Sequence, residues 1–234
     1  MGHRVLITAR SFRELRGEHW DLLEKEGCDV VRSPHDRPLT GAEMLDLVGG
    51  VDGVVVGLDE VTAQVIQGAT DLKVIAKHGV GVDNIDLAAA TAAGIVVTNT
   101  PGANEAAVAE LTIALMLALA RHLVKHHQVV SQGGWARQTG TELADKTLGL
   151  IGCGRIGQEV VKRAHGLGMK VVFYRRTPTE VPGATQVSLD ELLARSDYVS
   201  VHVPYTPETH HVLDAEAFAK MKDGVYVINT ARGG

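Results

Sequence analysis

Three glycines, Gly152, Gly154 and Gly157, stand in the pattern G-x-G-x-x-G, with Cys153, Arg155 and Ile156 between them. An apolar run, Thr147 to Ile151, leads into them, and Ile156, Val160, Ala164 and Leu167 follow at helical spacing. A strand entering a glycine turn that opens a helix is a cradle for a diphosphate. The first glycine permits the tight turn, the second lets the main chain approach the anion, and the third lets helix and strand close on each other. The N–H groups at the helix start then face the negative charge. A glycine-rich turn without a ligand is the alternative, but the second strand, Lys170 to Tyr174, completes a βαβ unit that favours the cradle.

The tip of that second strand decides which dinucleotide fits. Free ribose hydroxyls call for an acidic residue about 20 positions beyond the glycines. Tyr174 is instead followed by Arg175, Arg176 and Thr177. Two guanidinium groups suit a 2′-phosphate through charge-assisted, potentially bidentate hydrogen bonds. An arginine stacked on adenine, or solvated at the edge, is the other reading. The cofactor expected is therefore NAD or NADP, with NADP favoured by Arg175 and Arg176.

Other chemistries find less support. Cys28 and Cys153 are too far apart for a CxxC pair, which argues against a disulfide framework or zinc ribbon and fits a reducing cytoplasm. The pairs His126-His127 and His210-His211, and His122 with His126 on one helix face, have no carboxylate or cysteine at metal-ligand spacing, so no metal is expected. The 234 residues are 45% hydrophobic and 22% charged, enough for one large core or two modest ones, and carry a net charge of -5 without a long basic tract. Neither a nucleic acid nor an anionic membrane is expected as the main partner. No signal-peptide core is evident, and the greasiest stretch, Leu111 to Ala120, is about half a membrane span.

The elements that must hold these residues alternate between short β-branched runs and helical patterns. Strands are expected at Val5 to Thr8, Asp29 to Arg32, Gly53 to Val56, Lys73 to Ala76 and Ile95 to Thr98, with helices near 41–49, 62–68 and 86–92. This is an α/β chain with parallel sheets covered by helices. Asn99-Thr100-Pro101-Gly102 is a strong break, dividing residues 1–100 from 101–234. Residues 104–131 read as one long helix with Val108, Leu111, Leu115, Leu119, Leu123 and Val130 on a stripe, buried on several sides; it is either a domain-bridging core helix alone or one that adds a subunit contact. A homodimer is expected from it.

Five motifs in order carry a resemblance that covers the whole chain. They are Lys77-His78-Gly79-Val80-Gly81-Val82-Asp83-Asn84-Ile85-Asp86; Asn99-Thr100-Pro101-Gly102 with Val108 to Thr112; the glycine loop; His202-Val203-Pro204-Tyr205-Thr206-Pro207-Glu208-Thr209; and Ile228-Asn229-Thr230-Ala231-Arg232-Gly233-Gly234. Together they resemble the D-isomer-specific 2-hydroxyacid dehydrogenases, and most closely the D-3-phosphoglycerate dehydrogenase branch. The resemblance implies a flavodoxin-like substrate domain over 1–100, a Rossmann-type doubly wound cofactor domain over 101–234, and an active site in the cleft between them.

It also implies roles. Backbone N–H groups from His78 to Gly81 would meet the substrate carboxylate. Val203 and Pro204 would lie along the adenosine, with His202 and Thr209 in the same cofactor-side motif. Thr230 and Ala231 would lie near the nicotinamide, where Val108 and Thr112 could also reach, although at helical spacing these two are equally core residues. Arg232 would anchor a 2-oxo acid, its planar fork matching a carboxylate. The family's proton-donating histidine, and the glutamate that keeps it protonated, lie beyond Arg232 in family members. The chain therefore reads as the first three quarters of a member, truncated at the C-terminus; His78 is the one earlier histidine that could stand in.

The function implied is hydride transfer between NAD(P) and C2 of a D-2-hydroxy acid. D-3-phosphoglycerate, the substrate that feeds serine biosynthesis, is favoured, with Arg10 and Ser11 as candidate phosphate ligands against a simple N-cap role for Ser11. The alternatives are an NADPH-dependent glyoxylate or hydroxypyruvate reductase and a non-catalytic dinucleotide-sensing module like the related corepressors.

Overall fold

Parallel strands need a crossover for every pairing, and a chain that alternates β-branched runs with helices supplies one at almost every step. The structure, a computed structural model, describes residues 2–233 and divides into two compact units, Met1–Ala103 and Asn104–Gly234. In the first, the order is β1 (Arg4–Ile7), α1 (Arg10–Glu14), α2 (Glu18–Lys25), β2 (Asp29–Arg32), α3 (Gly41–Leu47), β3 (Gly53–Val56), α4 (Ala63–Gly68), β4 (Val74–Lys77), α5 (Leu87–Ala92) and β5 (Val96–Thr98). The strands form a parallel sheet in the order β2-β1-β3-β4-β5, the flavodoxin-like doubly wound arrangement.

Leu6, Val54, Val56 and Ile75 put their side chains into a core closed by Met44 of α3 and by Val65 and Ile66 of α4. Each of the helices α3, α4 and α5 starts at a residue suited to it. Thr40 accepts from the Glu43 amide in a capping box, Thr62 from Val65, and Asp86 from Ala89, so the helix starts left by short turns are satisfied locally. Ser11, expected as a cap, lies instead inside α1, whose first turn follows Ala9.

The second unit contains α6 (Glu105–Ala120), α7 (Leu123–Ser131), β6 (Thr147–Ile151), α8 (Arg155–Gly166), β7 (Lys170–Tyr174), β8 (Thr185–Gln186), α9 (Leu189–Arg195), β9 (Tyr198–Val201), α10 (Ala215–Ala219) and β10 (Tyr226–Asn229). Its sheet, also parallel, runs β8-β7-β6-β9-β10, the Rossmann order. Strand order reverses between β6 and β9, so the crevice outside their carboxyl ends is where this architecture binds ligands.

The single helix expected over 104–131 is two. α6 and α7 meet at 65°, and His122 at the joint has a left-handed backbone with φ 49°. The connector after α7 returns to this point. Thr141 donates its amide to the Ala120 carbonyl at 2.9 Å, and a Cβ on Gly140 would lie 2.6 Å from the same oxygen, so that carbonyl is withdrawn from a continuing helix.

The burial differs from the expectation as well. Ala109, Thr112, Met116 and Ala120 form the buried stripe, while Leu111, Leu115, Leu119, Leu123 and Val130 are exposed. Small residues let α6 approach α8 closely, and that close approach rather than leucine content chose the inner face. Among the described residues no single helix is long and apolar enough to cross a membrane; α6 and α7 reach that length only as a bent pair.

Candidate functional site

The glycine turn is anchored at both flanks before it meets any ligand. Gly152 donates its amide to the Tyr174 carbonyl of β7 at 2.9 Å, and His202, just past β9, donates to Ile151 at 2.8 Å. Gly152 has φ +90°, and a Cβ there would come within 2.8 Å of Val203 Cγ1 and 2.9 Å of the His202 carbonyl. At Gly157 a Cβ would lie 2.9 Å from the Gly152 carbonyl. These two glycines serve the turn and the helix–strand contact. Around Gly154 a Cβ would meet nothing within 4 Å, so the protein's own packing does not require a glycine there.

Gly154 is the N-cap of α8, which has no side-chain cap and no acidic residue in its first turn. The amides of Gly154, Arg155 and Ile156 find no partner among the described residues. α3, α4, α5, α9 and α10 all have a side-chain oxygen at this position. An open turn beneath an uncapped 12-residue helix, with its dipole pointing outward, fits the diphosphate of a nicotinamide dinucleotide. Arg155 lies 3.7 Å from Glu105. Cys153 is buried under the turn, and burial pushes its thiol up to about 11 while the Arg175 charge pulls the other way, so it is an unreactive filler.

At the tip of β7, Tyr174 is half-buried while Arg175, Arg176 and Thr177 are exposed. Their turn is tied to Gln186 of β8, whose side-chain amide donates to the Arg175 carbonyl at 2.8 Å and accepts from the Thr179 amide at 2.8 Å. Glu208 is held below the usual carboxylate range, first by the Thr206 hydroxyl and in smaller part by Arg176.

Beyond β9 and β10, Val203, Pro204, Thr209, Ala231 and Arg232 line one cavity of about 250 Å³. The Thr209 hydroxyl donates to the Pro204 carbonyl at 2.6 Å and accepts from the Thr206 amide at 2.8 Å, fixing the loop that follows β9. Asn229, at the end of β10, accepts from the Ala231 amide at 2.9 Å and donates to the Arg232 carbonyl at 2.6 Å, which sets the direction in which Arg232 leaves the strand. Thr230 and Thr112, both expected near the nicotinamide, have their hydroxyls 3.1 Å apart, and Thr112 also bonds the carbonyl of half-buried Val108 at 2.9 Å. Thr112 is thus a fully buried core residue whose hydroxyl meets that of Thr230. His202 lies 2.9 Å from the Ser200 hydroxyl, and burial lowers its pKa to about 4, leaving it neutral.

In the first unit, the loop expected to meet a carboxylate is partly committed to itself. The His78 amide donates to Val56 and the Gly79 amide to Lys77, both at 2.9 Å, which leaves Val80 and Gly81 as the amides without a protein acceptor among the described residues. His78 packs edge-on against Phe12 with centroids 5.6 Å apart, and burial, then His19 and Lys77, lowers its pKa.

Beneath this loop runs a brace that composition does not reveal. Buried Asp59 accepts from the Thr8 hydroxyl at 2.6 Å and from the Leu39 and Gly57 amides at 2.9 Å. Buried Lys77 donates to Asn84 at 2.7 Å and to the Gly57 carbonyl, while Asn84 reaches the Asp59 carbonyl at 2.6 Å. The available signal was a lysine closing the otherwise apolar strand Val74-Ile75-Ala76.

Comparison with known proteins extends this geometry. The family model described as D-isomer specific 2-hydroxyacid dehydrogenase, NAD binding domain, matches residues 113–234. The chain is 44% identical over 224 residues to hydroxypyruvate reductase of Thermotoga maritima, covering 92% of this chain and 73% of that protein. It is 46% identical over 204 residues to D-3-phosphoglycerate dehydrogenase of Methanocaldococcus jannaschii, covering 84% of this chain and 39% of that one. The crystal structure of the TT0316 protein from Thermus thermophilus superposes with a TM-score of 0.88 at 44% identity, over 98% of this chain and 74% of its own. The chain thus spans about three quarters of the reductase and well under half of the phosphoglycerate dehydrogenase. With its cradle, strand order and family model in agreement, the chain belongs to the D-isomer specific 2-hydroxyacid dehydrogenase family.

Proposed function

We propose that the protein moves hydride between NADP and C2 of a small D-2-hydroxy acid, and that it reduces unphosphorylated 2-oxo acids such as hydroxypyruvate and glyoxylate. The observation that carries the reading is the uncapped start of α8 together with two exposed arginines, Arg175 and Arg176, at the tip of the neighbouring strand. The amides of Gly154, Arg155 and Ile156 hold the diphosphate, and the two guanidinium groups hold a 2′-phosphate. Val203 and Pro204 lie along the adenosine. Thr230 and Ala231, with Val108 and Thr112 behind them, face the nicotinamide, which when bound supplies the hydride.

Arg232 holds the substrate carboxylate in its planar fork, so that the carbonyl carbon is presented in one orientation. In the first unit, Val80 and Gly81 keep amides without a protein acceptor among the described residues, which are that loop's own donors for an anion. Burial, then His19 and Lys77, lowers the His78 pKa, which disfavours the protonated form that a proton donor needs. The pairing of Arg10 favours an unphosphorylated acid: expected to hold a phosphate, it is bound to Glu14 at 2.7 Å on a helix of only five residues. The exposed leucines of α6 and α7 support a homodimer formed through that face, and the reducing environment suited to two free cysteines supports a cytoplasmic protein.

The test is a fluorescence titration with NADPH and NADH, followed by turnover of hydroxypyruvate, glyoxylate and 3-phosphohydroxypyruvate by the full-length protein. NADPH should bind at least about 10-fold tighter, and Arg232→Lys should lower kcat/KM on the preferred acid by about 100-fold, as loss of a bidentate clamp does. Tighter binding of NADH, or fastest turnover of the phosphorylated acid, overturns the corresponding half of the reading. Binding without turnover identifies a dinucleotide sensor instead.

A further inference from the structure

We infer that Gln186 is the positioning residue that sets cofactor choice: its side-chain amide holds the 175–179 turn in the shape that presents Arg175 and Arg176 to a 2′-phosphate. The inference rests on the NADP reading above and names the residue that makes it work.

Gln186 ends β8, a strand of two residues at the edge of the sheet, where it pairs with Phe173 of β7. Its main chain is held by the sheet, and the Val187 amide reaches the Phe173 carbonyl at 2.9 Å. Its side chain reaches past the end of β7 into the turn. Nε2 donates to the Arg175 carbonyl at 2.8 Å and to the Thr177 carbonyl at 3.3 Å, and Oε1 accepts from the Thr179 amide at 2.8 Å. One side chain thus serves three main-chain groups of a five-residue stretch.

The orientation of the amide is fixed by its partners. Turned over, it would set an NH₂ against the Thr179 N–H and an oxygen against two carbonyls. Besides this clamp, the turn has the Thr179 hydroxyl on the Thr177 carbonyl at 3.2 Å, a bond local to the turn that ties it to nothing else.

The consequence is preorganisation. Arg175, Arg176 and Thr177 are exposed, and long exposed side chains on a floppy turn give up much of their binding energy to ordering. A turn already tied to the sheet gives up less. The benefit falls on the group the arginines grip, the 2′-phosphate, and not on the diphosphate held by the 152–157 turn. A residue that merely braced the fold would weaken both cofactors alike; Gln186 should change their ratio.

The experiment compares the wild-type chain with Gln186→Met, which keeps the length and removes the polar atoms, and Gln186→Asn, which keeps the amide but falls short. NADPH and NADH affinities are read by nucleotide fluorescence, and the exchange rate of the Thr179 amide proton is followed by NMR. In Gln186→Met the NADPH-to-NADH affinity ratio should fall about 10-fold with NADH binding changed less than about twofold, and the Thr179 amide should lose protection. Gln186→Asn should behave the same way, and it carries the test if the Met variant does not fold. An unchanged ratio in a folded variant whose Thr179 amide has lost protection, or equal weakening of both cofactors, overturns the inference while the NADP reading stands. If the wild-type chain itself shows no preference for NADPH, the NADP reading fails, and the role assigned to Gln186 fails with it.

Discussion

The three glycines of the cradle differ in what they do for the folded chain, and that difference can be tested by adding one methyl group at each. At Gly154 a Cβ meets nothing within 4 Å and φ is -84°, an ordinary value for any residue. Gly154→Ala should therefore fold normally and gain about 0.4–1 kcal/mol from the lower entropy of its unfolded chain. At Gly152, φ is +90° and the Cβ would press within 2.8 Å of Val203 Cγ1. The backbone strain alone costs roughly 1–2 kcal/mol, before any overpacking. At Gly157 the Cβ would approach the Gly152 carbonyl to 2.9 Å, and a main-chain oxygen cannot swing aside as a side chain can, so about 1–3 kcal/mol is expected. Thermal unfolding should thus order the variants as Gly154→Ala at or above wild type, with Gly152→Ala and Gly157→Ala below it. Cofactor titration should give a different order, with Gly154→Ala, the most stable of the three, losing at least about 10-fold in affinity for NADPH and NADH alike, because its methyl occupies the space of the diphosphate. The reasoning is refuted if Gly154→Ala binds dinucleotide like wild type, or if it unfolds as early as Gly152→Ala.

Two further outcomes follow from buried polar groups. His202 has a folded-state pKa of about 4 against an ordinary 6.5, so the unfolded chain takes up its proton first as pH falls; the stability is whole above 6.5, drains away between 6.5 and 4, and is down by about 2 kcal/mol at about pH 5. His202→Gln should flatten that part of the urea-midpoint profile, and an unchanged slope there assigns the acid loss to other groups. Asp59→Ala strands the Leu39 and Gly57 amides in the core of the first unit, while the Thr8 hydroxyl keeps the Val55 carbonyl at 3.1 Å; at about 1–3 kcal/mol for each unsatisfied group, its denaturation midpoint should fall sharply, and a midpoint near wild type would show that water replaces the carboxylate.

The strands were legible because a parallel sheet buries both faces and so writes continuous β-branched runs. Gly53–Val56, Thr147–Ile151 and Lys170–Tyr174 fall where the sequence puts them. The 104–131 helix misled for a related reason. A segment that is apolar nearly all round has no moment to show which face turns inward, and the choice fell to the small side chains Ala109 and Ala120, which join the core that α8 shares, and to Thr112, whose hydroxyl meets Thr230. Its break at His122 depends on Thr141, a partner 19 residues further along the sequence, and no local pattern announces a carbonyl that a later loop will take.

The site divides along the same line. Glycines, prolines and arginines advertise themselves by what their types alone can do, so the cradle and the Arg175-Arg176 tip could be read directly. The residues that hold them in place could not. Gln186, Asn229, Asn84 and Asp59 are ordinary polar types whose work is to bond main-chain atoms, and main-chain atoms are the same in every sequence. Their partners come from loop shape, which exists only after the sheets have formed. In this chain the groups that would touch a dinucleotide are therefore set by residue type, while their aim is set by amides and carboxylates two or more positions away. A change at Gln186 should alter cofactor choice without altering any atom that meets the cofactor.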